Sequence, residues 1–135
     1  MAKKTVLPSE LELLILKVLW QEEAQGKTPL AVREVRELLA TAGRDLAHTS
    51  VITTLNVMLD KKFVKRSTRK NAFLFAPRVS EESVHRSEIG KLLDRVFDGS
   101  AENLMLALLK TDKVDPESIA EIKRMIDKTV RESGP

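Results

Sequence analysis

Apolar residues recur at helical spacing near the start of the chain. Leu11, Leu14, Ile15, Val18 and Leu19 fall at i, i+3, i+4, i+7 and i+8, which predicts a helix with one face for a core. Ser9 stands in front as its cap, with Glu12 three residues on as the capping-box partner. Gln25-Gly26-Lys27 predicts its end. Thr28-Pro29 predicts a second start, a capping residue followed by proline at the first helical position. Val32, Val35, Leu38 and Leu39 supply that helix's apolar face to about Ala42, and Gly43 stops it. After the turn Arg44-Asp45-Leu46-Ala47, a third helix is predicted from about His48 to Lys62. Val51, Leu55, Met58, Leu59 and Lys62 line one side of it; Thr49, Ser50, Thr53, Asn56 and Asp60 line the other.

The period then changes. Phe63 to Ser67 reads as a short strand, Thr68-Arg69-Lys70-Asn71 as a turn with Asn71 tolerant of positive φ, and Ala72 to Ala76 as a returning strand ended by Pro77. Helix, helix, turn, helix and hairpin in that order predict a winged helix-turn-helix. The second helix of the helix-turn-helix pair is thereby placed for a major groove. From Ser80 onward the pattern is helical. Val84, Ile89, Leu92, Leu93, Val96 and Phe97 mark a first helix ending at Gly99. Leu104, Met105, Leu106, Leu108 and Leu109 mark a short apolar one opened by Ser100. Ile119, Ile122, Met125, Ile126 and Val130 mark a third, with Asp115 as cap and Pro116 at the first position. Ser133-Gly134-Pro135 is expected to fray.

The fold class expected is therefore mainly α with a small β-hairpin wing. Residues 1–78 form the winged helix-turn-helix and residues 79–135 a C-terminal three-helix dimerisation region. Three short helices this apolar cannot bury their own surface, and the helix over 100–110 has no evident polar face. A second copy of the chain is the economical cover, so an intertwined homodimer is expected. The residues expected at that interface are Leu92, Leu93, Val96, Phe97, Leu104, Met105, Leu108, Leu109, Ile119, Ile122 and Ile126.

Charge sharpens this division. The 135-residue chain has a formal net charge of +3, but residues 1–78 carry +6 and residues 79–135 carry −3. Between Lys61 and Arg78 stand seven bases and no acid, interleaved with Phe63, Val64, Phe73, Leu74 and Phe75. A basic run on ordered structure points to nucleic acid. Hydroxyls and an amide on the third helix suit DNA edges: Ser and Thr donate, Thr methyls pack on thymine methyls, and Asn pairs with adenine. Ile52 and Val57 either pack on thymine methyls or line the border of this face. Lys61, Lys65, Arg66, Arg69 and Lys70 would hold phosphates. His48 reads either as a phosphate contact at a helix N-terminus or as a surface residue, Trp20 as core packing and His85 as a solvated helix residue.

Other chemistry is poorly represented. Cysteine is absent, which excludes disulfides, thiolate metal clusters and a catalytic thiol. The two histidines are not at metal-ligand spacing, the five glycines form no phosphate loop, and no carboxylate pair sits in an apolar setting. Neither an enzyme, a metal site nor a cofactor is expected. No apolar run reaches membrane-spanning length, and the N-terminus lacks the apolar stretch of a secretory signal, so the cytoplasm is the expected location.

Leu7 to Trp20 (LPSELELLILKVLW) resembles the opening helix of the penicillinase-repressor family, the BlaI/MecI/CopY group. Leu46 to Leu55 (LAHTSVITTL) resembles its recognition helix, Lys61 to Arg66 (KKFVKR) the segment after that helix, and Phe75-Ala76-Pro77 the end of its wing. The resemblance runs from about residue 7 to 130. It implies a homodimeric transcriptional repressor that binds a palindromic operator through the winged helix. The family's DNA contacts carry over onto Thr49, Ser50 and Thr53, and onto the wing from Arg69 to Asn71. Val57 stands where members often have Arg, which removes the basis for assuming the same operator preference. The cysteine cluster of copper-responsive members is missing, so copper sensing is not expected. The bond cut in antibiotic-resistance members is Asn-Phe, and its counterpart here is Ala107-Leu108, which makes a regulatory protease a candidate partner. A rival from another class remains open on the sequence alone: a winged-helix protein-interaction module that does not bind DNA.

Overall fold

The computed structural model describes residues 6–133; Lys3, Lys4 and the terminal Gly134-Pro135 lie outside it. The chain divides into two compact units, one reaching Ile89 and one beginning at Gly90.

In the first unit, α1 (Glu10–Ala24) opens with the expected capping box. The Ser9 hydroxyl accepts from the Glu12 amide at 3.2 Å, and the Glu12 carboxylate accepts from the Ser9 amide at 2.7 Å. Ile15, Leu16 and Leu19 are sealed from water, and Trp20 is buried with its indole N–H donating to the Val79 carbonyl at 2.9 Å. A bond of this kind satisfies the polar handle of a core tryptophan.

The second helix begins later than Thr28-Pro29 predicts. Leu30–Ala31 forms a short strand, β1, and α2 runs Val32–Thr41. Leu30 pairs with Phe75 and Ala31 with Leu74. Leu30 is buried, so these two residues are extended because a strand far along the chain needs a neighbour. Thr28 is consequently not the cap; the Glu34 carboxylate accepts from the Ala31 amide at 3.0 Å instead. α2 ends in a Schellman motif, with Gly43 at φ +95 and the Arg44 amide donating to the Leu39 carbonyl at 2.8 Å.

α3 (His48–Asp60) turns Val51, Leu55 and Met58 fully inward. Lys62 does not share that side. It stands past the helix end, exposed and left-handed at φ +67, while the Phe63 amide closes the last turn on the Met58 carbonyl at 2.9 Å. The next residues form β2 (Val64–Arg69) and β3 (Ala72–Pro77), paired antiparallel from Val64↔Pro77 to Arg69↔Ala72. Lys70 and Asn71 make the two-residue turn, both at positive φ. That geometry fits the right-handed twist of a hairpin. The sheet order is β1-β3-β2. Helix α4 (Glu81–Val96) follows, opened by Ser80, whose hydroxyl accepts from the Ser83 amide. Val84 of α4 belongs to the winged-helix core, so the first unit continues past residue 78.

A buried charge ties α1 to the end of α3. Glu12 is 3% exposed, and its two carboxylate oxygens lie 3.1 and 3.0 Å from the Lys61 ammonium. Together with the Ser9 amide, this leaves the carboxylate satisfied.

The second unit contains the end of α4, α5 (Ala101–Leu109) and α6 (Pro116–Glu132). Ser100 caps α5 by accepting from the Asn103 amide, and Asp115 caps α6 by accepting from the Ser118 amide at 2.7 Å. The Ser118 hydrogen bonds hold the Asp115 carboxyl below its ordinary pKa. No residue of α5 or α6 is buried. Met105, Leu109, Ile119, Ile122 and Ile126 are all between 41% and 53% exposed. A groove of about 280 Å³ runs between these two helices, lined almost wholly by their apolar side chains.

Lys61→Met strands the buried carboxylate, and removing one partner of such a pair costs about 1–3 kcal/mol. Chemical denaturation is expected to show that loss, with Glu12→Gln in the same chain recovering most of it. A loss below about 0.5 kcal/mol, the usual surface range, would mean the pair holds nothing.

Candidate nucleic-acid interface

The helix-turn-helix turn is fixed from within. Arg36 of α2 donates through Nε to the Leu46 carbonyl at 2.7 Å, and the partly buried Leu46 packs against the core. These contacts set where α3 starts. Ala47 occupies the cap position with no side-chain hydrogen bond, and the first turn of α3 carries no acid. The positive end of the helix dipole is therefore left unneutralised, a favourable place for an anion.

His48, Thr49, Ser50, Thr53 and Asn56 are all exposed. Thr49, Thr53 and Asn56 recur at i, i+4 and i+7 and so share a helical face. None of these side chains has a hydrogen-bond partner among the described residues; the Ser50 carbonyl accepts from the Thr54 hydroxyl at 2.8 Å, but the Ser50 hydroxyl is free. Ile52 packs against the core, whereas Val57 stays 40% exposed. The opposite side of α3 is occupied by Val51, Leu55 and Met58, so the polar face cannot turn inward without opening the core.

The wing divides its bases between two faces, since side chains alternate along a strand. Lys65 and Arg69 share one face of β2. Arg66 lies on the other, with Val64 and the cross-strand Phe75, both sealed in the core. Lys70 and Asn71 sit at the exposed tip. Lys61 stands apart from these residues: it is the C-cap of α3, and its ammonium faces the Glu12 carboxylate. Sequence spacing groups it with the phosphate-binding cations, because a partner 49 positions away leaves no local signal. The supporting roles of Arg36 and Glu12 are hidden in the sequence for the same reason. One other local contact stands out, the Arg66 guanidinium over the Phe73 ring at 4.1 Å.

This arrangement can do two separable things. Neutral donors and acceptors on α3 can read base edges, and the cations of the hairpin can neutralise phosphates at any sequence. Among the described residues no group of His, Asp or Glu could hold a metal ion, and no helix is long and apolar enough to cross a membrane.

Comparison with known proteins gives the chain a family. The family described as Penicillinase repressor matches residues 8–128. The penicillinase repressor of Bacillus licheniformis is 21% identical over 125 residues, covering 93% of each chain. Among solved structures, the chain is similar to hsRosR-S4, solved as a complex, at 17% identity and a TM-score of 0.46, covering 93% of this chain and 92% of that one. It is also similar to a point mutant of Lactococcus lactis ZitR at 14% identity and a TM-score of 0.40, covering 99% of this chain and 81% of that one.

Proposed function

The chain belongs to the penicillinase repressor family, a family of winged-helix transcriptional repressors, and from that premise we propose that two copies of it bind an inverted-repeat operator in duplex DNA. Each copy lays α3 in the major groove and sets its β2–β3 hairpin against the adjoining backbone. The observation that carries this reading is the pairing of an uncapped helix, whose outward polar side chains have no partner, with a hairpin bearing only positive charge.

Roles follow from chemistry. Thr49, Ser50, Thr53 and Asn56 discriminate bases. Lys65, Arg66, Arg69 and Lys70 give affinity and salt dependence, with Asn71 holding the tip's shape and His48 lying where a phosphate would meet the start of α3. Lys61 supports the site through Glu12. The copies pair through the half-exposed apolar residues of the second unit, so that two recognition helices reach one face of the duplex about one helical turn apart. As a DNA-bound regulator the protein acts in the cytoplasm. Release of the operator by a regulatory protease cutting Ala107-Leu108 is part of the same reading. That bond lies within α5, so cutting it requires local unwinding first.

Selection of bound sequences from random duplex DNA tests the reading. Enrichment of an inverted repeat with half-site centres roughly 10 base pairs apart is expected. No enrichment, or a single asymmetric site, would contradict it; retention of a foreign protein instead would favour a protein-interaction module.

On the selected site, changing Lys65, Arg66, Arg69 and Lys70 together to Ala removes four cations from each of the two bound copies and is expected to flatten log K against log salt by about 7, at ~0.9 per phosphate contact. An unchanged slope would remove the wing from the mechanism. Thr53→Ala is expected to narrow the gap between correct and mutated sites more than it lowers affinity overall; a uniform loss would confine Thr53 to the backbone.

A further inference from the structure

The wing carries an aromatic side chain that the fold leaves half outside. Phe73 is 47% exposed near the tip of β3, where core packing gives it no purpose. The register of the hairpin supplies one. Val64, Arg66 and Thr68 share a face with Phe73, Phe75 and Pro77 across the strands. Val64 and Phe75 anchor that face in the core. Beyond the core's edge it continues as Arg66, Thr68 and Phe73, and there the Arg66 Cζ lies 4.1 Å from the Phe73 ring centroid. This is a cation–π stack at close range. Among the described residues, no carboxylate lies within ion-pair distance of Arg66.

A ring beneath a guanidinium restricts where it points without consuming its N–H donors. Arg suits such a place because it is planar and weakly hydrated. A narrow, A·T-rich minor groove concentrates negative potential and attracts an inserted Arg, and its width depends on sequence. A cation that merely neutralised phosphate would need no such support, and Lys65 and Arg69 on the opposite face have no aromatic partner.

We infer that Phe73 is a positioning residue: its ring holds Arg66 for entry into the minor groove flanking each half-site, so that the wing distinguishes narrow A·T-rich flanks from wider G·C-rich ones. This rests on the operator binding proposed above and deepens it, assigning the wing shape recognition in addition to charge neutralisation.

The test uses the full chain on two duplexes with identical selected half-sites, one flanked by A·T tracts and one by G·C pairs, titrated across salt. Wild type is expected to prefer the A·T flanks. Phe73→Leu keeps apolar bulk but has no π face, and is expected to reduce that preference about two- to five-fold with the salt slope unchanged. Phe73→Trp is expected to retain the preference. Arg66→Lys is expected to keep the slope and lose the preference. A Phe73→Leu chain that still prefers A·T flanks would overturn the inference, as would Arg66→Lys behaving like wild type. Wild type binding both duplexes equally would overturn this inference alone. Wild type retaining neither duplex would overturn the operator reading with it.

Discussion

Phe75, Ile15, Leu16, Leu19 and Leu55 are each at most 1% exposed, and three helices, a small sheet and the start of α4 enclose them. Beyond that core the same kinds of side chain have no such enclosure. From Val96 to Val130, ten large apolar residues remain between 41% and 62% exposed. Covering the exposed half of a side chain of this size is worth roughly 1 kcal/mol, so ten per copy amount to about 10 kcal/mol, and two copies to about twice that. Association costs an estimated 4–15 kcal/mol in lost freedom. Burial on this scale supports the proposed pairing of two copies, under which each α3 would read one half of a site.

Within the first unit, the interface is fixed by contacts that never reach it. Arg36 holds the turn before α3, and Glu12 holds Lys61 at its far end. Between these two anchors, Val51, Leu55 and Met58 fix the helix's rotation, leaving hydroxyls and an amide outward. A helix that carries specificity benefits from lacking long cations, which would bind any phosphate equally well. In the proposed reading, the hairpin supplies that general attraction. Its strand alternation then separates Lys65 and Arg69 on one face from the stacked Arg66 on the other.

Features governed by local chemistry are legible in the sequence. The helix caps at Ser9, Ser100 and Asp115, the stop at Gly43, the positive φ of Asn71 and the inward row of α3 each depend on neighbours a few positions away. Features governed by distant partners are not. Leu30 and Ala31 are extended because β3 lies beside them, which overrides the helix-start signal of Thr28-Pro29. Lys62 follows the apolar period of α3 but lies in the left-handed turn that ends it. Lys61 is one cation among many in the sequence, and only the fold brings Glu12 opposite it. The first unit reaches past residue 78, and Val84 of α4 is buried in a core otherwise built from earlier segments. The polar face of α3 is nonetheless foreseeable, since a core-facing row also determines what points away from it.

Sedimentation equilibrium of the full chain at micromolar concentration, without DNA, tests the central claim most directly. The account predicts a mass twice that of the 15.2 kDa chain, lost when Ile122→Glu places a charge in the apolar face of α6. A mass of one chain across that range would contradict it, because two recognition helices would then have nothing to hold them at a common distance.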